Sequence, residues 1–236
     1  MKIYGFQKTT LLDYPGHVAA TVFTGGCNFR CPFCHNASLV LKPEMQPLIP
    51  VKEVLDHLDK RKGILEGVCI TGGEPTLEKG LRQFISQCRE MGYLVKLDTN
   101  GYRPEVLREL IQEGLLDYVA MDIKASLKKY GAATNCPNID TEKIQESIRL
   151  LQTSGIACEF RTTVVKGIHS EDEFEEIGKL LAGSSLYFLQ AFQESKDILG
   201  QNTTHMSMEA FSGQEMKRMA ALAGKYIDKV VLRGVE

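Results

Sequence analysis

Cys27, Cys31 and Cys34 stand in the run 25–36, Gly-Gly-Cys-Asn-Phe-Arg-Cys-Pro-Phe-Cys-His-Asn, with the spacing C-x3-C-x2-C. Seven cysteines scattered at random through 236 residues would rarely reproduce that spacing, so the trio reads as a ligand set. Thiolates at i, i+4 and i+7 of a loop rich in Gly and Pro can wrap one face of a compact metal centre, because such a loop need not keep helical dihedrals. A closed structural zinc site would need a fourth protein ligand. The nearby candidate, His35, directly follows Cys34 and would have to fold back on its neighbour. Iron–sulfur clusters normally take four thiolates, so three leave one iron of a 4Fe-4S cluster open to an outside ligand, which implies chemistry rather than electron carriage alone. A disulfide framework fits poorly with an odd cysteine count and with the absence of a signal-peptide pattern ahead of the motif. The other four cysteines, Cys69, Cys88, Cys136 and Cys158, are far apart. The first two fall on apolar faces and are expected to be core thiols.

Three further motifs carry polar groups. In Thr71-Gly72-Gly73-Glu74-Pro75 the paired glycines let backbone approach a ligand closely, and Glu74 adds an acceptor for a cationic amine. Taken alone this is an ordinary strand-to-helix turn. Asp98-Thr99-Asn100-Gly101 and Met121-Asp122-Ile123-Lys124 supply two carboxylates, hydroxyl and amide groups and an ammonium. Asn-Gly alone is a common turn, and Asp-x-Lys alone is often a surface pair. At the ends of successive strands they suit a zwitterionic ligand. Lys124 would pair with a carboxylate, while Asp98 and Asp122 favour positive charge, on the ligand or as a bound monovalent cation.

Short apolar runs alternate with amphipathic segments, the pattern of βα units on a parallel sheet. Strands are expected at 18–23, 67–71, 93–99, 116–121, 157–165 and 186–191, with a short terminal strand at 227–232. Between them, Val51, Val54, Leu55 and Leu58 recur at helical spacing, and Leu77, Leu81, Phe84, Ile85, Cys88 and Met91 form the cleanest apolar stripe. Helices follow at 104–113, opened by a proline and closed by Gly114, and at 141–154. Ser170 to Glu173 reads as a capping box opening a helix to 181, and a final helix spans 208–225. An eight-unit barrel takes about 250 residues, so six βα units fit this length better and predict an open, partial barrel with its site at the C-terminal ends of the strands.

A content of 43% hydrophobic residues, without a break in composition, predicts a single domain over 1–236. A formal net charge of −2 gives no electrostatic footprint for nucleic acid, and no apolar run reaches membrane-spanning length, so the expectation is a soluble, cytoplasmic protein.

The cysteine motif, with the aromatic Phe33 before its last member, resembles the radical S-adenosylmethionine (SAM) superfamily. The resemblance implies a (β/α)6 partial barrel of the TIM type, a 4Fe-4S cluster held by Cys27, Cys31 and Cys34, and SAM chelated at the open iron. One-electron cleavage would yield a 5'-deoxyadenosyl radical that abstracts hydrogen from a substrate. It further implies that Phe33, His35, Gly72, Gly73, Glu74, Asp98, Thr99, Asp122 and Lys124 line the SAM site. The DTNG and D-x-K tetrapeptides, the run Cys34-His35-Asn36 and Asp13-Tyr14-Pro15-Gly16 resemble the glycyl-radical activating branch. Over nearly its whole length the chain is most similar to activating proteins of anaerobic ribonucleoside-triphosphate reductase. The implied partners are that glycyl-radical enzyme and a reduced flavodoxin- or ferredoxin-type electron donor. Where pyruvate formate-lyase activating enzymes carry a SAM-contacting histidine, this chain has Phe192-Gln193, and Gln193 is expected to donate in its place. Arg161 would face the cofactor or form a structural salt bridge. His17, His57, His169 and His205 are expected in loop or surface roles. The long rim segments 125–138 and 193–205 are candidate docking loops. Two other readings stay open: a radical SAM enzyme acting on a small molecule, of the deazapurine-synthase kind, and a binding module with a structural Cys3His zinc site.

Overall fold

The structure is a computed structural model that describes residues 1–195, 197–202 and 208–235. Eight strands form one sheet in chain order: β1 (Gly5–Thr10), β2 (Ala19–Thr24), β3 (Gly67–Gly72), β4 (Leu94–Thr99), β5 (Tyr118–Asp122), β6 (Ala157–Val164), β7 (Tyr187–Ala191) and β8 (Val230–Arg233). β1 runs antiparallel to β2, and all later neighbours pair in parallel. Among the described residues β1 and β8 do not pair, which leaves the α/β barrel partial and open, as the length predicts. The sequence pattern missed β1. It is an edge strand whose residues Gln7, Lys8 and Thr9 are all exposed, so no apolar alternation marks it.

Helices α1 (Ala37–Leu41), α2 (Val51–Lys60), α3 (Leu81–Glu90), α4 (Pro104–Gln112), α5 (Tyr130–Thr134), α6 (Thr141–Thr153), α7 (Glu173–Leu180) and α8 (Gly213–Ala223) connect the strands. The capping box expected at Ser170 does not form. The Glu173 carboxylate instead accepts from the Ser126 backbone N–H at 2.7 Å and from Lys129 Nζ at 3.0 Å. A reciprocal box forms between Ser212 and Glu215, so the last helix begins at residue 213 and not at 208.

Strand alternation decides where the chemistry sits. One set of side chains, Val68, Ile70, Val95, Leu97, Val119, Met121, Phe160 and Leu189, joins Leu58, Phe84, Ile85, Leu107, Ile148, Ile177 and Met216 of the helices in a contiguous buried core. The opposite face carries Cys69, Lys96, Asp98, Asp122, Glu159, Arg161 and Arg233, which contact one another within a strand, between neighbours and across one intervening strand. Each helix-facing Leu, Ile or Phe contributes about 1.5–3 kcal/mol by burial, and this apolar layer holds the polar one in place. Near the N-terminal strand ends Tyr14 is buried, 6.0 Å ring to ring from Tyr118 and 4.9 Å from His17, and the Asp13 carboxylate accepts from Thr21 Oγ1.

Candidate active site

β2 delivers the chain into the cysteine loop, and its register with β3 places Thr24 beside Gly72. The Gly73 N–H donates to the Thr24 carbonyl at 2.9 Å, and the Glu74 N–H to the Gly26 carbonyl at 2.8 Å. A Cβ on Gly73 would lie 1.9 Å from the Gly26 carbonyl oxygen, and Gly72 has φ +115°. The two glycines therefore let the turn after β3 press against the backbone of the cysteine loop. The sequence assigned this close approach to a ligand. Asn36 completes the junction by donating from Nδ2 to the Gly72 carbonyl at 2.8 Å.

The rest of the loop is held by the two rim segments that the sequence left as docking candidates. In 125–138, the Thr134 carbonyl accepts from the Arg30 N–H at 2.9 Å, and Tyr130 is fully buried against Phe29. In 193–205, the Leu199 and Gly200 N–H groups donate to the Cys34 and Pro32 carbonyls at 3.0 and 2.7 Å, and the Asp197 carboxylate accepts from Ser38 Oγ at 2.8 Å. His205 lies outside the described residues.

Cys27, Cys31 and Cys34 are all free thiols and line one cavity of about 250 Å³. Phe33, His35, Gly72, Gly73, Glu74, Asp98, Thr99, Asp122 and Lys124 line it too, so the motifs scattered over a hundred residues meet at the C-terminal ends of β2 to β6. Burial pushes the Cys27 thiol up to about 11 and Cys31 up to about 12, and raises Cys34. The radical SAM superfamily profile matches residues 21–181, the stretch that holds the three thiols and the later rim motifs up to Arg161. The chain belongs to the radical SAM superfamily.

Among relatives of this radical SAM enzyme, a provisionally named glycyl-radical enzyme activating enzyme of Methanocaldococcus jannaschii is 35% identical over 99% of the chain and 96% of its own length. The pyruvate formate-lyase-activating enzyme of Clostridium pasteurianum is 30% identical over 52% of each protein. In structure, Streptococcus suis SuiB bound to S-adenosylmethionine superposes with a TM-score of 0.66 at 15% identity, over 89% of this chain and about half of its own (49%).

The family implies SAM and a 4Fe-4S cluster, and the donor set fits both. Three free thiols lining one cavity are the ligand type such a cluster takes, with one fewer than its usual four. His35 lines the same cavity and reaches toward the rim segment after β7. Its Nε2 lies 2.7 Å from the Gln193 carbonyl, and its ring sits 5.5 Å from that of Phe192.

One wall of the cavity is neutral apart from a single carboxylate. Glu74 is 1% exposed, and its Oε1 accepts from the Thr76 N–H, Thr76 Oγ1 and Thr99 Oγ1 at 3.1, 2.6 and 2.7 Å. Its Oε2 accepts from the Asn100 N–H at 2.7 Å. Burial raises the Glu74 carboxyl above its ordinary range and outweighs these donors. Asn100, whose amide the sequence counted among the polar groups of the rim, also donates from Nδ2 to Asn28 Oδ1 at 2.8 Å and so ties β4 to the cysteine loop.

The other wall is ionic. Arg161 donates from Nε to Asp122 at 2.9 Å and from Nη1 to Asp98 at 3.1 Å, the salt-bridge alternative of the sequence reading. Buried Lys96 holds the second Asp98 oxygen, and Lys124 the second Asp122 oxygen at 3.0 Å. Burial opposes charge on Asp122, but Arg161 and Lys124 outweigh it and hold the carboxyl at about 2.

Gln193 does not line the cavity. Its side chain is exposed, and Gln190, two positions inside β7 from the loop, lines the wall instead. The signal was available, because Gln190 is the one polar residue of an otherwise apolar strand. His169, expected in a loop or surface role, lies in the loop between β6 and α7 and is buried there. Nδ1 accepts from the Val165 N–H at 3.1 Å, so the Nε2–H faces the Lys124 carbonyl at 2.9 Å, and burial lowers its pKa. It fixes the backbone of Lys124 through the neutral tautomer. His17 and His57 lie at the surface, beside Glu66 and the Lys8 carbonyl.

Proposed function

We propose that this enzyme is a glycyl-radical activase, in which Cys27, Cys31 and Cys34 hold the 4Fe-4S cluster and SAM fills the shared cavity. The bound cluster and SAM supply a carbon-centred radical that takes hydrogen from the α-carbon of one glycine on a partner enzyme. Lys124, held by Asp122 and by His169 through its backbone, presents the cation for the methionyl carboxylate. Glu74 Oε2, with a single donor, keeps acceptor capacity for the amine, and Phe33 and Gln190 lie on the cavity wall for the adenosyl part. Anaerobic ribonucleoside-triphosphate reductase is the partner that the sequence favours, in the cytoplasm, with a reduced flavodoxin or ferredoxin as donor.

The observation that carries this reading is the convergence of three free thiols and all three rim motifs on one cavity, in a chain matched end to end by a relative named for glycyl-radical activation. Anaerobic reconstitution with iron and sulfide, followed by SAM, dithionite and the reductase, should give a glycine-centred EPR doublet together with methionine and 5'-deoxyadenosine. Cys31→Ala should lose cluster iron and SAM cleavage together. Intact cleavage by that variant refutes the ligand assignment, and cleavage without a doublet on any glycyl-radical partner refutes activase function.

A further inference from the structure

The sequence alone allowed a bound monovalent cation between Asp98 and Asp122, because two carboxylates at one rim call for positive charge. The structure fills that demand from within the chain. Register places Asp98 beside Ala120 and Asp122 beside Arg161, so the inward rows of β4, β5 and β6 bring both carboxylates within reach of one guanidinium. Arg161 bridges them, at 3.1 Å to an Asp98 oxygen and 2.9 Å to an Asp122 oxygen. Lys96 and Lys124 take the two remaining oxygens, so each of the four carboxylate oxygens has a cationic donor. Three cations against two carboxylates leave one net positive charge on this wall. The next layer, Glu159 with Arg233, adds one charge of each sign and changes nothing. Such a wall repels a small cation and attracts a carboxylate.

We propose that Arg161 is the resident cation of this cavity and that the enzyme binds no monovalent metal ion between Asp98 and Asp122. The planar guanidinium does what a shared ion would do, taking one oxygen of each carboxylate and fixing the ends of β4 and β5 relative to each other. Unlike an ion it cannot dissociate, so the site stays assembled in any salt.

The test uses the anaerobically reconstituted enzyme, with rubidium as the probe in equilibrium dialysis. Melting temperature and SAM affinity are measured in potassium, sodium and choline chloride at one ionic strength. The native enzyme should retain no stoichiometric rubidium, and its melting temperature and SAM affinity should agree across the three salts within twofold in affinity. Arg161→Ala should retain rubidium, melt lower in choline than in potassium, and bind SAM at least tenfold more weakly in choline. Arg161→Lys, which keeps a charge, should depend on the salt less than Arg161→Ala does. One rubidium per native chain, lost in Asp98→Asn, overturns the proposal even if Arg161→Ala does not fold. A folded Arg161→Ala enzyme indifferent to the salt overturns it as well. Only the affinity measurement rests on SAM occupying this cavity. The rubidium and melting measurements stand if that reading fails.

Discussion

On the β3 side of the cavity one buried carboxylate, Glu74, gathers four uncharged donors. On the β5–β6 side two carboxylates, Asp98 and Asp122, meet three cations that cover all four oxygens. The first wall is made by close backbone approach: Gly72 and Gly73 bring the turn against the cysteine loop, and Glu74 then locks β3 to β4. The second is made by side-chain ion pairs on three strands whose register brings them together, with three cations on two carboxylates. A neutral donor left unpaired in a buried site costs about 1–3 kcal/mol, whereas a stranded buried charge costs about 3–5 kcal/mol. The neutral wall should therefore fail through sterics and the ionic wall through imbalance.

Gly73→Ala should have the largest effect, because its Cβ would overlap the Gly26 carbonyl oxygen, an atom of backbone that cannot swing away. A loss of more than about 4 kcal/mol in urea denaturation is expected, and a loss below about 1 kcal/mol would break the backbone account of this wall. Arg161→Leu leaves one oxygen of each carboxylate without its cationic donor, Lys96 and Lys124 keeping the others, and should lower stability by about 1–3 kcal/mol in choline chloride. Asp98→Asn should cost less in that variant than in the native enzyme, because the Arg161 contact is already gone, and strict additivity of the two changes would sink the coupling. Glu74→Gln keeps the shape but sets an amide N–H against the Asn100 N–H, for about 1–3 kcal/mol.

The two walls should also titrate with opposite sign. Asp122 is held at about 2, below its unfolded value, so its contribution is full above about pH 4 and vanishes as pH falls toward about 2. Glu74 is raised, so its ionisation weakens the fold as pH climbs through its folded value. Melting curves against pH should lose the acid-side slope in Asp122→Asn and the higher-pH decline in Glu74→Gln. If each variant flattens the other's region, the assignments are reversed. The smallest effect is expected outside both walls: Gln193→Ala should stay within about 0.5 kcal/mol of the native enzyme and leave SAM affinity unchanged by calorimetry, while Gln190→Ala should weaken it.

The cysteine spacing, the alternation of strand and helix and the chain length determined the thiol trio and the open barrel, because each is carried by local pattern or simple count. Local pattern also placed Glu74, Asp98 and Lys124 at strand ends. It failed where meaning depends on partners. Gly72 and Gly73 line the cavity, but no local pattern showed the Gly26 carbonyl packed against them; His169 read as a loop or surface residue, and only the fold shows two backbone groups holding its nitrogens; β1 left no apolar trace at an edge. Which charges meet was decided by tertiary structure alone. Asp98, Asp122 and Arg161 share a face only because three parallel strands align in one register, and no window of sequence contains the 63 residues that separate the first of them from the last.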